Sequence, residues 1–331
     1  MGSASDSARP GTGEFHPLFA ERLHLLDGLA APSLVALPDT PGQAARRAAF
    51  DAPFDALELP DVRVEDAVAP GPHGPVSLRI YRPMSDADAR PGLVWIHGGA
   101  FVFGDLDMPE ADQTARLVAA AADAVVVSVD YRLALGGVHF PIPHDDCWVA
   151  WQWTRAQASD LGIDPERLAV GGGSAGGNLA ASVALRGRDE GQPAWQALLV
   201  YPALHAAGEG FSDELRDCLV RTPPALLFGT DDSFSVNYLG GPVQMATPYA
   251  FPGVATDLAG FPSTFIENAE FDSLRASGEE FARQLAADGV DVELVTMCGV
   301  PHGHLNRAGL PMAAETCARL AARLRRLTLS S

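Results

Sequence analysis

The chain has 331 residues, 47% of them hydrophobic and 20% charged, with a formal net charge of −19. That composition excludes a disordered or fibrous chain, and the acidity makes nucleic acid and anionic membrane poor partners. No apolar run approaches the ~20 residues needed to span a bilayer. The polar start MGSASDSARPGTGEF lacks the basic and apolar regions of a signal peptide, so a cytoplasmic location is expected. Cys147, Cys218, Cys298 and Cys317 are scattered without a C-x-x-C pair. They read as reduced thiols, mostly buried, and no metal site is expected.

In chain order, residues 1–13 read as a disordered tail. From Phe15 to Leu37, apolar residues recur at helical spacing (Phe19, Leu23, Leu26, Leu29), with breaks near Pro32 and at Pro38. A second helical piece runs from about Gly42 to Phe50. Residues 14–55 are thus either cap helices or ordinary packing helices on a flank. Val62–Val68 and the alternating Val76–Tyr81 flank the turn GPHG and predict an antiparallel hairpin. Leu93–Ile96 is a short apolar strand ending at His97, and Ala111–Ala122 is helical. Ala124–Val129 is apolar enough to lie inside a parallel sheet. A helix follows at Asp145–Arg155. Leu168–Val170 is a strand, then comes a glycine-rich turn, then a helix from Asn178. Strands at Ala197–Tyr201, Thr264–Glu267 and Val292–Val295 follow, the last two leading into helices at Ser277–Asp288 and Pro311–Leu327.

Strands alternating with helices predict an α/β fold with a mostly parallel sheet. The core would be residues 56–202 and 261–331. Residues 203–260 hold no clear core strand, and a plain loop of that length is rare in a compact domain. They are expected to be an insertion that caps the site.

The site is read from the stretch LAVGGGSAGGNLAA, Leu168–Ala181. Strand, sharp turn and helix with Ser174 at the apex is the context of a nucleophile elbow. Gly172 and Gly176 supply the missing side chains where the turn crowds. A phosphate-binding loop is excluded because no G-x-x-x-x-G-K-[ST] follows. A serine nucleophile needs a base, a carboxylate and oxyanion donors. His302 comes first after the last strand, in GVPHGHLN, with His304 as rival. For the carboxylate, Asp272 opens a loop before a helix, where it also reads as an N-cap; Glu270 is the second candidate. Oxyanion donors are expected from the Ala175 amide and from His97-Gly98-Gly99-Ala100, whose small residues leave backbone amides accessible.

These motifs resemble the hormone-sensitive-lipase-like group of α/β-hydrolases, the bacterial carboxylesterases and acetyl esterases. The resemblance runs from Val62 to the C-terminus. It is carried by VWIHGGAF (94–101), SVDYRLA (128–134), HDDCWVAWQW (144–153), GGSAGGNLA (172–180), NAEFDSLRASGE (268–279) and GVPHGHLN. It implies Ser174, Asp272 and His302 as the triad, with Asp272 in the family's D-x-L-R segment. It also implies an oxyanion hole from Gly98, Gly99, Ala100 and Ala175, a helical cap and no cofactor. The family's usual acid before the nucleophile is Gly173 here, which implies a less supported elbow. Ala100 replaces a glycine, Leu135 a proline, and His304 a commonly apolar residue, which implies a polar group in the pocket.

The function expected is hydrolysis of small-molecule, short-chain carboxylic esters. Acyl transfer or deacylation on a specialised metabolite is the alternative at the same site. A small-molecule receptor without turnover is the alternative of another class. A homodimer through a sheet edge is also expected.

Overall fold

The structure, a computed structural model, describes residues 13–326 apart from 57, 86 and 88. The expected tail thus lies, except for Gly13, outside the described residues. Among the described residues, eight strands form one sheet: β1 (Val62–Ala69), β2 (Val76–Pro83), β3 (Arg90–Ile96), β4 (Val125–Asp130), β5 (Ile163–Gly173), β6 (Gln196–Val200), β7 (Ser263–Phe271) and β8 (Val292–Pro301). Their spatial order is β1-β2-β4-β3-β5-β6-β7-β8. The first two form the expected antiparallel hairpin, β2 meets β4 antiparallel, and every later pairing is parallel.

The helices are α1 (Pro17–Ala20), α2 (Pro41–Asp51), α3 (Pro109–Ala122), α4 (Ile142–Ala156), α5 (Ala158–Leu161), α6 (Ala175–Asp189), α7 (Asp213–Arg221), α8 (Ser233–Leu239), α9 (Arg275–Ala287) and α10 (Pro311–Leu324). None among the described residues is long and apolar enough to cross a membrane. None of the four cysteines forms a disulfide.

Alternation along the central strands splits the core into two layers. Val94 and Ile96 of β3 pack with Cys147, Trp151, Leu179 and Phe281 from α4, α6 and α9. Leu93 and Trp95 face the other way, onto Val118 of α3 and Leu320 of α10. Both faces are covered, which is why β3 and β4 read as near-continuous apolar runs. The chain leaves β3 for one face through α3 and leaves β5 for the other through α6. Ligands of open α/β sheets bind in the crevice that such a divergence opens at the carboxyl ends of the strands.

Residues 15–37 are less helical than their spacing predicts. Among the described residues, only Pro17–Ala20 and one 3₁₀ turn, Leu23–Leu26, form before α2. Gly28, Pro32 and Pro38 interrupt the run between them. Thr40 then caps α2 with a reciprocal hydrogen-bond pair to Gln43. Phe19, Leu26, Leu29 and Phe50 join Ala225 and Leu226 of the 203–260 insertion in a third apolar cluster. The two segments flanking the site therefore share packing.

A buried histidine fastens that insertion to the base. His144 of α4 contacts the Ser182 hydroxyl through Nδ1 at 2.8 Å. The Ser182 hydroxyl donates to the Tyr249 carbonyl, so it must accept from Nδ1–H. Nε2 is then the acceptor that faces Arg186 Nη1 at 3.4 Å. Burial first, and the Arg186 charge second, push the His144 pKa down to about 4, against a weak opposing pull from Asp145. The unfolded histidine protonates near pH 6.5, so between 6.5 and 4 the unfolded state binds more protons. This part of the stability is complete above pH 6.5 and declines as pH falls toward 4, by on the order of 3 kcal/mol. Denaturant titrations at pH 4 to 7 should show that decline in the wild-type protein and a flatter profile in His144→Gln. Equal slopes in the two would remove His144 as the source.

Candidate active site

Ser174 stands between β5 and α6 with φ 55° and ψ −120°, a region that non-glycine residues rarely occupy. Neighbouring backbone holds it there. Its N–H donates to the Val200 carbonyl at 2.9 Å, and its carbonyl accepts from Asn178 and Ala203. The crowding expected at Gly172 and Gly176 is present: a Cβ on the first would overlap the Gly176 carbonyl, and one on the second the carbonyls of Ile96 and His97.

Three strand ends bring the expected side chains together. Ser174 Oγ lies 2.9 Å from His302 Nε2, and His302 Nδ1 lies 2.6 Å from Asp272 Oδ2. Asp272 and His302 directly follow β7 and β8, which pair in parallel with Phe271 opposite Pro301. The other Asp272 oxygen accepts the Leu274 N–H at 2.9 Å. Asp272 thus closes a turn just ahead of α9, but the N-cap of that helix is Leu274, without a side-chain hydrogen bond, so the N-cap reading does not hold.

The rivals point elsewhere. Glu270 accepts from the amides of Gly13 and Gly299, at 2.9 and 2.6 Å, and ties the start of the described chain to β8. His304 is fully buried and contacts Thr316 Oγ1 at 2.9 Å, which in turn donates to Glu267. Burial works to raise the Glu267 pKa, yet His304, Arg319 and Thr316 together hold it below its ordinary value. The polar group that His304 was expected to add to the pocket is thus in the core instead. Its neighbours on α10 and β7 are remote in sequence, which is why spacing alone misplaced it.

The loop after β3 passes beside Ser174. Gly99, Ala100 and Phe101 all have positive φ, at 115°, 50° and 65°. His97 is part of the scaffold: its Nδ1 faces the Gly98 carbonyl at 2.7 Å, and its ring stacks on Tyr131. Burial lowers its pKa, so it is a neutral donor there. The Gly98 N–H turns inward and donates to Glu110 Oε1. Gly99 and Ala100 line the cavity that contains Ser174 and His302. Ala175 opens α6, so its amide has no acceptor within the helix.

Glu110 is the residue that sequence reading missed. It sits in the first turn of α3, where an acid is unremarkable because it complements the helix dipole. Yet its side chain is 1% exposed. A Cβ on Gly173 would lie 2.8 to 2.9 Å from its carboxyl atoms. The space beside Gly173, the residue before Ser174, is therefore filled by a carboxylate after all, supplied from another element.

Two cavities meet at Ser174. One, about 70 Å³, is mostly apolar and runs beneath the insertion past Phe101, Phe228, Phe251 and Leu274. The other, about 260 Å³, opens past Phe103, Met108 and Arg307.

A model of the alpha/beta hydrolase fold matches residues 93–306, well over half of the chain, and the chain belongs to that family. Relatives within it include esterases, as the motifs implied. The esterase LipI of Mycobacterium tuberculosis is 36% identical over 265 residues, 78% of this chain and 81% of the relative. The carboxylesterase NlhH of the same species is 39% identical over 279 residues, 81% and 84% of the two chains. The solved hyperthermophilic esterase of Pyrobaculum calidifontis superposes with a TM-score of 0.78 at 32% identity, over 94% of this chain and 98% of its own. By family, the chain is an enzyme of the carboxylic ester hydrolase class.

The two carboxylates separate cleanly in a kinetic experiment. Asp272→Asn should lower kcat on an activated ester by about 10³- to 10⁴-fold, because the amide favours the wrong histidine tautomer. Glu270→Gln should leave kcat within about threefold, since it touches no part of the relay. The reverse ranking would exchange their roles.

Proposed function

We propose that this chain is a serine carboxylesterase that hydrolyses short-chain esters through an acyl-enzyme. The observation that carries this is the unbroken relay from Ser174 Oγ through His302 to Asp272, with its hydroxyl end where two cavities meet. Ser174 Oγ attacks the ester carbonyl carbon, and its proton passes to His302 Nε2. Asp272 holds the Nδ1–H tautomer and stabilises the imidazolium. The carbonyl oxygen becomes an oxyanion and takes hydrogen bonds from Gly99, Ala100 and Ala175. Each such donor lowers the barrier by about 3 kcal/mol. The Gly98 amide is engaged by Glu110, so Gly98 serves as a spacer rather than a donor.

Collapse of the intermediate breaks the bond to the alcohol oxygen, which leaves with the proton from His302. Water then gives a proton to His302 and adds to the acyl carbon. Collapse of the second intermediate returns that proton to Ser174 Oγ. No step needs a metal or cofactor.

The two cavities at Ser174 support a division of the substrate between them. The narrow one beneath the insertion takes the acyl chain, and its size supports acetyl to about hexanoyl groups. The wider, open one takes the alcohol. Residues 14–55 and 203–260 act as the cap, and their shared apolar cluster supports that reading.

The test is turnover of p-nitrophenyl acetate, butyrate, octanoate and palmitate, with Ser174→Ala alongside. Acetate and butyrate should turn over fastest, octanoate weakly and palmitate not at all. Ser174→Ala should lose at least about 10⁴-fold. A folded wild-type protein that binds these esters without turnover would sink the proposal in favour of a receptor. A competing alcohol that captures most of the acyl group at millimolar concentration would move the function to acyl transfer.

A further inference from the structure

Three parts of the candidate site donate to the Glu110 carboxylate. Oε1 accepts the Gly98 N–H from the loop after β3. Oε2 accepts the Tyr201 hydroxyl at 2.6 Å and the Asn306 side-chain amide at 3.1 Å. Tyr201 follows β6 and packs edge-on against the His302 ring, centroids 5.0 Å apart. Asn306 ends the turn that begins at His302, and its Oδ1 accepts the Glu110 backbone N–H at 3.3 Å. Glu110 is thus gripped from both its side chain and its main chain by the segment carrying the histidine.

This arrangement is expensive for a purely structural purpose. No arginine or histidine lies within ion-pair distance of the carboxylate among the described residues, and a buried charge without a counter-ion is disfavoured. An amide or hydroxyl could link the same segments at less cost. What a carboxylate adds is acceptor capacity for three donors and a negative charge. Burial pushes the Glu110 carboxyl above its ordinary pKa, while the hydrogen bonds from Tyr201 and Gly98, and then the two histidines beyond Tyr201, His302 and His304, favour its charged form.

We propose that Glu110 is a positioning residue, which fixes the oxyanion loop through Gly98 and favours the imidazolium of His302 through its charge. By holding the Gly98 N–H inward, it sets the peptide from which Gly99 and Ala100 continue along the cavity wall. By its charge, it stabilises the form of His302 that exists only after Ser174 has given up its proton. The proposal rests on the esterase reading above. The groups facing His302 are Asp272 after β7, Tyr201 after β6, Glu110 on α3 and His304 two residues on. Arg307 lines the same cavity but is paired with Asp51.

Glu110→Gln keeps the shape and removes the charge, and its NH₂ group must oppose one of the three donors. On p-nitrophenyl acetate it should lower kcat about 10- to 100-fold, as loop misplacement does, with KM within about threefold. A residue that only supported the fold would lower the melting temperature or the active fraction and leave kcat per titrated active site unchanged. Tyr201→Phe deletes one hydroxyl from the same clasp and serves if Glu110→Gln does not fold. It should lower kcat about tenfold at unchanged KM, and an unchanged kcat would overturn the proposal. Wild-type kcat in a folded Glu110→Gln would overturn it equally. Either result leaves the esterase reading intact, which fails only if the wild-type protein is inactive or Ser174→Ala is not.

Discussion

The close approach of β3 and β5 at their carboxyl ends is the constraint on which the rest depends. Ile96 pairs opposite Gly172, and α6 starts so near that a side chain at Gly176 would run into the Ile96 carbonyl. The turn between β5 and α6 is therefore tighter than most residues permit. Ser174 takes the unfavourable backbone angles, and hydrogen bonds to Val200, Asn178 and Ala203 hold it there. That strain lifts a hydroxyl out of a fully packed core and delivers it to the crevice between the two diverging helices.

The relay is then assembled from distant parts of the chain by sheet register. β7 and β8 run parallel, so Asp272 and His302 emerge side by side although thirty residues separate them. β7 is packed on both faces, with Ile266 in one apolar layer and Phe265 in the other, while β8 is the edge of the sheet, and packed cores transmit little slack. Pre-organisation of this kind favours a charge that appears only as the reaction proceeds. The N-terminal segment and part of the insertion pack in a third apolar cluster that also takes in Ala269 of β7 and Met297 and Val300 of β8. Tyr238 and Phe251 of the insertion belong instead to the core layer that holds α6. The pocket walls and the strands that carry Asp272 and His302 therefore share packing.

The Glu110 clasp joins those strand ends from below. A carboxylate there faces Gly98, Tyr201 and Asn306, one contact for each of three elements around Ser174. It also accounts for Gly173, where no side chain would fit. The absence of an acid next to Ser174 looks like a loss in the linear sequence. In space it is an exchange of one supporting element for another.

Strand and helix types, the edge hairpin and the elbow were legible in the sequence because each is a local signal. Alternation marks Val76–Tyr81, an unbroken apolar run marks β4, and glycines bracket Ser174. Asp272 and His302 were legible because each stands where a strand gives way to a loop. The early helical spacing between Phe15 and Leu37 misled, since Gly28, Pro32 and Pro38 outweigh periodicity that tertiary packing does not reinforce. The choices between Asp272 and Glu270, and the destination of His304, depended on which side chains parallel strands and α10 bring within 3 Å. Glu110 was invisible for the same reason: an acid in a first helical turn has an ordinary local explanation. Its burial is a property of everything folded around it. Local backbone chemistry is written into neighbouring residues, whereas burial and charge pairing exist only once remote segments have excluded water from the space between them.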